Sequence, residues 1–227
     1  MSDAILVTAR LASPLAGDAP HLDALLEYLL SLHHHKGVPG YKVDRKYAAP
    51  AQGEIPIPIR RHALGGWQVG CCSSPILGPV RAEMVEHIAK RIAVEHAGLL
   101  DPGALVVVST TNSWTKSYRL PLRCRVVDAV AWFARGDRRN VLTTIRKARA
   151  IGKKVADGYG VVREWTVERI DADLSWFAPS EVGPVLMRPL PVGPWLPDNL
   201  TGARRDFGAC VPPYWHPERY GEIVVPC

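Results

Sequence analysis

Gly152, Gly158 and Gly160 fall between a basic helical segment and a strand-like one, and this stretch limits the fold more than any other. Asp137 can cap a helix that carries Val141, Leu142, Ile145 and Ala148 on one face. Arg146, Lys147 and Arg149 fall in its last turn, where the helix dipole favours cations. Gly152 stops that helix. Gly158-Tyr159-Gly160 then leads into residues 161–170, whose alternation predicts a strand. Glycine permits positive φ and the close approach of another backbone.

Such a loop suits a phosphate. Successive N–H groups can form an anion-binding concavity, Lys153 and Lys154 add point charges, and Tyr159 can stack on a base. The same residues also describe a glycine C-cap, a tight turn and solvated lysines. Nucleotide-binding loops are excluded. The G-x-x-x-x-G-K-[ST] pattern is absent, and a dinucleotide fingerprint needs its glycines before a helix, not after one.

The remaining elements build around this segment. Residues 4–11 are apolar and β-branched and predict a strand ending before Pro14. Asp18 can cap a helix, Pro20 suits its first turn, and Leu22, Leu25, Leu26, Leu29 and Leu32 recur at helical spacing. Residues 41–53 read as a polar, basic loop. The prolines of residues 55–59 force an extended entry segment, and residues 67–73 predict a short strand after a turn. Pro79 starts a predicted second helix, with Val80, Met84, Val85, Ile88 and Ile92 on one face and Glu86 paired to Lys90. Residues 105–109 predict a strand, 114–125 a basic hairpin arm, and 126–134 an apolar strand with Trp132 and Phe133. This order predicts an α+β, ferredoxin-like (RRM-like) βαββαβ domain over residues 1–175, with a helical and hairpin insertion at about 75–125. Residues 176–227, rich in Pro, Gly and Trp, predict an irregular tail that packs on the core or a partner.

Charge is segregated. The chain carries a net +6, but residues 135–154 alone carry +7, and residues 36–61 and 114–125 carry +4 each. That distribution fits a polyanion-binding surface. It also fits three solvated faces pointing in unrelated directions. Within these stretches Arg138, Arg139, Lys116, Arg119, Lys42, Arg45 and Lys46 are candidate phosphate contacts. Trp114 and Tyr118, and Tyr41 and Tyr47 beside the last three, are candidate stacking residues.

Residues 146–162, Arg-Lys-Ala-Arg-Ala-Ile-Gly-Lys-Lys-Val-Ala-Asp-Gly-Tyr-Gly-Val-Val, resemble the glycine-rich loop of the repeat-associated (RAMP) superfamily of CRISPR proteins. The onward sequence at residues 165–168 and 185–191 is similar to the type IV version of the subunit that caps the 5′ end of the guide. The loop is the specific part, and the likeness runs loosely to about residue 191. The resemblance implies a non-catalytic protein that binds the 5′ handle of guide RNA (crRNA). Its partners would be a backbone-coating subunit and a large subunit, with target DNA reached through the complex. It also implies that the insertion is a thumb, which places residues 114–119 near RNA.

His33, His34 and His35 are consecutive, so on a helix they diverge by about 100° and do not converge on one metal ion. His34 or His35 beside Lys36 is nonetheless the place for a general base, should the chain be a metal-independent endoribonuclease. A third reading is a protein–protein adaptor with a basic face. Asp171 and Asp173 lack a third ligand, and His216 with Cys210 and Cys227 does not make a zinc set. The expectation is therefore no cofactor and no metal. Five cysteines, an odd number without a C-x-x-C pair, fit reduced thiols in a cytoplasm. No apolar run nears the roughly 20 residues of a membrane span, and Met1-Ser2-Asp3 does not open a signal peptide.

Overall fold

The structure is a computed structural model, and it describes residues 3–34, 55–90 and 118–227. The chain begins with β1 (Asp3–Leu11), β2 (Leu15–Ala16) and α1 (Leu22–His34), then β3 (Arg61–Leu64), β4 (Trp67–Gly70) and β5 (Ile76–Leu77). A long pair, β6 (Val80–Lys90) and β7 (Tyr118–Val127), precedes β8 (Ala129–Gly136), α2 (Arg138–Ile145) and β9 (Val162–Arg169). The last part holds β10 (Phe177–Ala178), β11 (Val185–Leu186), β12 (Leu190–Pro191), β13 (Ala203–Ala209) and β14 (Tyr220–Pro226). The protein is thus mixed α+β, with mostly antiparallel strands in several small sheets. No described helix is long and apolar enough to cross a membrane.

The central sheet has the order β9-β1-β8-β5, and every neighbouring pair is antiparallel. Alternation decides its buried face. Ile5, Val7 and Ala9 of β1, Val130, Trp132 and Ala134 of β8, and Trp165 and Val167 of β9 point to one side and are buried. Leu22, Leu25, Leu26 and Leu29 of α1, with Val141 and Ile145 of α2, complete that core. Each such large side chain contributes roughly 1.5–3 kcal/mol on leaving water. Polar edges are satisfied on the way: the Trp132 indole donates to the Pro20 carbonyl at 3.0 Å, and the Trp165 indole to the Ala148 carbonyl at 2.9 Å. Asp18 does not cap α1, which begins four residues later; its carboxylate meets Arg125 at 3.1 Å instead.

Two larger expectations are also overturned. Residues 80–90 form strand β6, not a helix. Val80, Met84, Val85 and Ile88 have helical spacing, but Val80, Met84 and Ile88 are also compatible with a period of two, and pairing with β7 from Val80↔Val127 to Lys90↔Tyr118 decides the matter. Glu86 and Lys90 therefore sit along a strand, too far apart for the i,i+4 contact of a helix. The predicted strand at 105–109 lies outside the described residues. The C-terminal part is not irregular. It forms the sheet β12-β14-β13 and the pair β10-β11, and it has its own core of Leu186, Leu190, Cys210, Val211, Ile223 and Val224. Leu64 and Val69 of the β3–β4 hairpin join that core, so it is stitched into the first part of the chain.

The stitch is centred on Arg188, which is fully buried. One terminal nitrogen donates to the carbonyls of Gly70 (2.7 Å) and Cys72 (3.2 Å). The other donates to the Asp23 carboxylate (3.1 Å), the Cys210 carbonyl (2.8 Å) and the Tyr214 hydroxyl (2.7 Å). Tyr214 in turn donates to Asp23 at 2.9 Å. Burial alone would raise the Asp23 carboxyl, but the Arg188 guanidinium and the Tyr214 hydroxyl hold it below its ordinary range. His21 stacks on Tyr214 at 4.6 Å, and its Nδ1 is buried without a partner among the described residues.

Removing the Asp23 carboxylate leaves a buried guanidinium uncompensated. Asp23→Ala is expected to cost about 3–5 kcal/mol, read by urea unfolding. His21 gives a pH signature. Burial, then Arg188, pushes it down from 6.5 to about 4. Below pH 6.5 the unfolded chain takes a proton that the folded protein refuses, so stability is full above 6.5 and falls as pH drops toward 4. The expected loss is about 3 kcal/mol. His21→Phe, which keeps a ring against Tyr214, is expected to flatten it.

Candidate nucleic-acid interface

Asp137 caps α2, its carboxylate accepting from the Asn140 N–H at 2.8 Å. The helix is short and ends at Ile145, with Arg146 as its C-cap. The chain then turns into the glycine-rich loop, which is closed at its neck. The Val162 N–H donates to the Arg149 carbonyl at 2.9 Å, and the Ile151 N–H to the Gly160 carbonyl at 2.9 Å. Gly160 has φ +62, and a Cβ there would stand 1.8 Å from the Ile151 carbonyl oxygen. Gly152, at φ +89, lets the loop pass the Ala16 carbonyl; a Cβ would come within 2.8 Å of it.

The loop docks on residues 13–17. The Lys153 N–H donates to the Ala16 carbonyl and the Gly160 N–H to the Pro14 carbonyl, each at 2.8 Å. The Val161 N–H donates to the Ser13 hydroxyl at 2.9 Å. Inside the loop, the N–H groups of Asp157 and Gly158 donate to the carbonyls of Lys154 and Val155. The amides of Ile151, Lys153, Asp157, Gly158 and Gly160 are therefore committed to carbonyls within the protein and do not cradle an anion. The loop and its approach also present side chains.

Those side chains divide into committed and uncommitted groups. Lys153 lays its aliphatic stem over Gly17 and is exposed. Lys154 meets Asp157 at 3.3 Å. Tyr159 is partly buried against Ala16, Leu122 and Cys124, and its hydroxyl donates to Glu86 of β6. Arg138, Arg139, Arg146, Lys147 and Arg149 are exposed and form no ion pair with any described residue. They leave both ends of α2, and the approach to the loop, with basic side chains that no described carboxylate pairs.

The β6–β7 ribbon is less basic than its sequence. Arg123 pairs with Glu83, Arg81 with Asp128 and Arg125 with Asp18. The Arg123 hydrogen bond holds the Glu83 carboxyl below its usual range. Arg119 remains exposed and unpaired among the described residues. Trp114, Lys116, Lys42, Arg45, Lys46, Tyr41, Tyr47 and His35 lie outside the described residues, as does the side chain of His34. Sequence reading passed over the exposed Phe207–Tyr220 ring pair at 6.3 Å. No signal marks Phe207 as exposed, because an apolar residue in a short strand normally faces a core.

Asp173 and His216 have partners within the protein. Asp173 meets Arg135 at 3.5 Å and accepts from the Ser175 N–H at 3.0 Å. The His216 Nδ1 accepts from the Glu218 N–H at 3.3 Å. Among the described residues no group of three His, Cys, Asp or Glu side chains converges on a metal position. In comparisons with known proteins, no family model matches the chain and no curated protein matches it.

The loop glycines differ in a testable way. Gly158 has φ +89 with open space where a Cβ would sit, so Gly158→Ala is expected to cost about 1–2 kcal/mol from backbone strain alone. Gly160→Ala adds a collision with backbone and is expected to cost on the order of 3 kcal/mol or more. Thermal unfolding of both variants checks the order.

Proposed function

We propose that this protein is the non-catalytic subunit that binds the 5′ handle of guide RNA in a type IV, Cascade-like CRISPR ribonucleoprotein, in the manner of the RAMP superfamily. The observation that carries the reading is the set of unpaired basic side chains around α2, Arg138 and Arg139 at its start and Arg146 and Lys147 past its end, where the glycine-closed loop begins. The sheet order β9-β1-β8-β5, with helices after β1 and β8, supports a ferredoxin-like βαββαβ core, because each crossover then returns a strand two places across the sheet. The β6–β7 ribbon, inserted between the neighbours β5 and β8, supports the thumb.

Recognition rests on arginine and lysine side chains meeting phosphates, with the loop backbone serving as their scaffold. Such contacts position a strand without reading its sequence. Sequence preference for the handle would come from stacking and base-edge contacts elsewhere on the surface. The backbone-coating subunit, the large subunit and target DNA would be engaged through the assembled complex.

The test is binding of labelled CRISPR repeat RNA in EDTA across a salt series, with protein alone and with co-expressed partners. The expected result is intact RNA and an affinity that falls steeply with salt. Arg146→Ala with Lys147→Ala is expected to weaken binding about tenfold and to reduce the salt slope by roughly one to two. Lys153→Ala with Lys154→Ala is expected to act in the same direction. Defined cleavage that disappears in His34→Ala or His35→Ala moves the protein to the endoribonuclease reading. Neither binding nor cleavage with partners present leaves the adaptor.

A further inference from the structure

The glycine-rich loop and the β6–β7 ribbon share one mount. Leu15 and Ala16 of β2 pair with Arg125 and Cys124 of β7, and the Gly17 N–H donates to the Arg123 carbonyl at 2.8 Å. The other side of the same segment receives the loop, through Pro14 and Ala16. This fixes the root of β7. A two-stranded ribbon has little stability or direction of its own, so its course depends on what its face touches.

One side-chain contact reaches further out along the ribbon. Glu86 lies opposite Leu122, beyond the last residue that the mount holds, and it accepts the Tyr159 hydroxyl proton. Ala16, Leu122 and Cys124, with Ile88 and the Tyr159 ring, close an apolar cluster beneath that bond. Past it the ribbon is solvated, with Leu120 and Tyr118 exposed. Register puts Tyr118, Leu120, Leu122 and Glu86 on one face, the face that looks toward the loop.

We propose that Tyr159 and Glu86 are positioning residues that aim the β6–β7 ribbon relative to the glycine-rich loop, so that both engage one polynucleotide as a single body. The polynucleotide part rests on the guide-RNA reading above; the clamp itself does not. A ribbon already aimed saves the ordering cost on binding. Contacts at its outer half are then coupled to the clamp and not additive with it.

The experiment has two readouts. The first is amide hydrogen exchange of the free protein over residues 82–90 and 118–126, in wild type, Tyr159→Phe and Glu86→Ala. The expected result is exchange about fivefold faster in the ribbon of both variants, the equivalent of one lost hydrogen bond, with the central sheet unchanged. The second is RNA affinity of wild type, Tyr159→Phe, Tyr118→Ala and the double variant. Tyr118→Ala is expected to weaken binding about fivefold in wild type and less than twofold in the Tyr159→Phe background. Unchanged ribbon exchange in both variants overturns the clamp. Equal effects of Tyr118→Ala in the two backgrounds, or no effect in wild type, overturn the single-body claim. RNA that fails to bind wild type sinks the guide-RNA reading, and exchange alone then decides the clamp.

Discussion

A buried guanidinium holds this fold together. Arg188 gathers α1 through Asp23, the end of the β3–β4 hairpin through Gly70 and Cys72, and the C-terminal part through Cys210 and Tyr214. Bringing a charge out of water costs several kcal/mol, and only a nearly complete set of partners offsets it. The arrangement is thus weak as a source of stability and strong as a source of register. A chain that misplaces any of the three segments leaves a bare charge in its interior. The Trp176 indole, donating to the same Gly70 carbonyl at 2.9 Å, ties the start of the C-terminal part to that point.

The candidate interface depends on a second, smaller frame. Residues 13–17 accept the loop on one side and β7 on the other, so the loop that follows α2 and the ribbon are set against one another by backbone hydrogen bonds. The electrostatics follow from that placement. Arginines on the ribbon find carboxylates and are largely neutralised, whereas those around α2 do not. The positive surface that sequence spread over three segments is, among the described residues, concentrated near α2 and the loop.

Local signals were legible and long-range ones were not. Asp137 could be read as a helix cap because its partner is three residues away. Gly152, Gly158 and Gly160 could be read as positive-φ positions because glycine adopts them without steric cost, whereas Lys154, also at positive φ, carries no such signal. The strand β6 reads as a helix because Val80, Met84 and Ile88, four residues apart, fit a helical period as well as an alternating one, and only β7, across an intervening stretch of chain, chooses between them. The C-terminal part looked irregular because its strands are short and broken by Pro and Gly, while its order comes from Leu64, Val69 and Arg188. The bond between Tyr159 and Glu86 is illegible for the same reason: the two are 73 residues apart, and nothing near Tyr159 in sequence points to a partner for its hydroxyl.

The central claim is that guide RNA lies against the loop and the flanking basic surface. Ultraviolet crosslinking of the assembled complex, followed by peptide mapping, tests it most directly. The account predicts crosslinked peptides from residues 138–154 and from the outer half of β7, joined to nucleotides of the 5′ handle. Crosslinks confined to other surfaces, with those peptides unmodified, would contradict it.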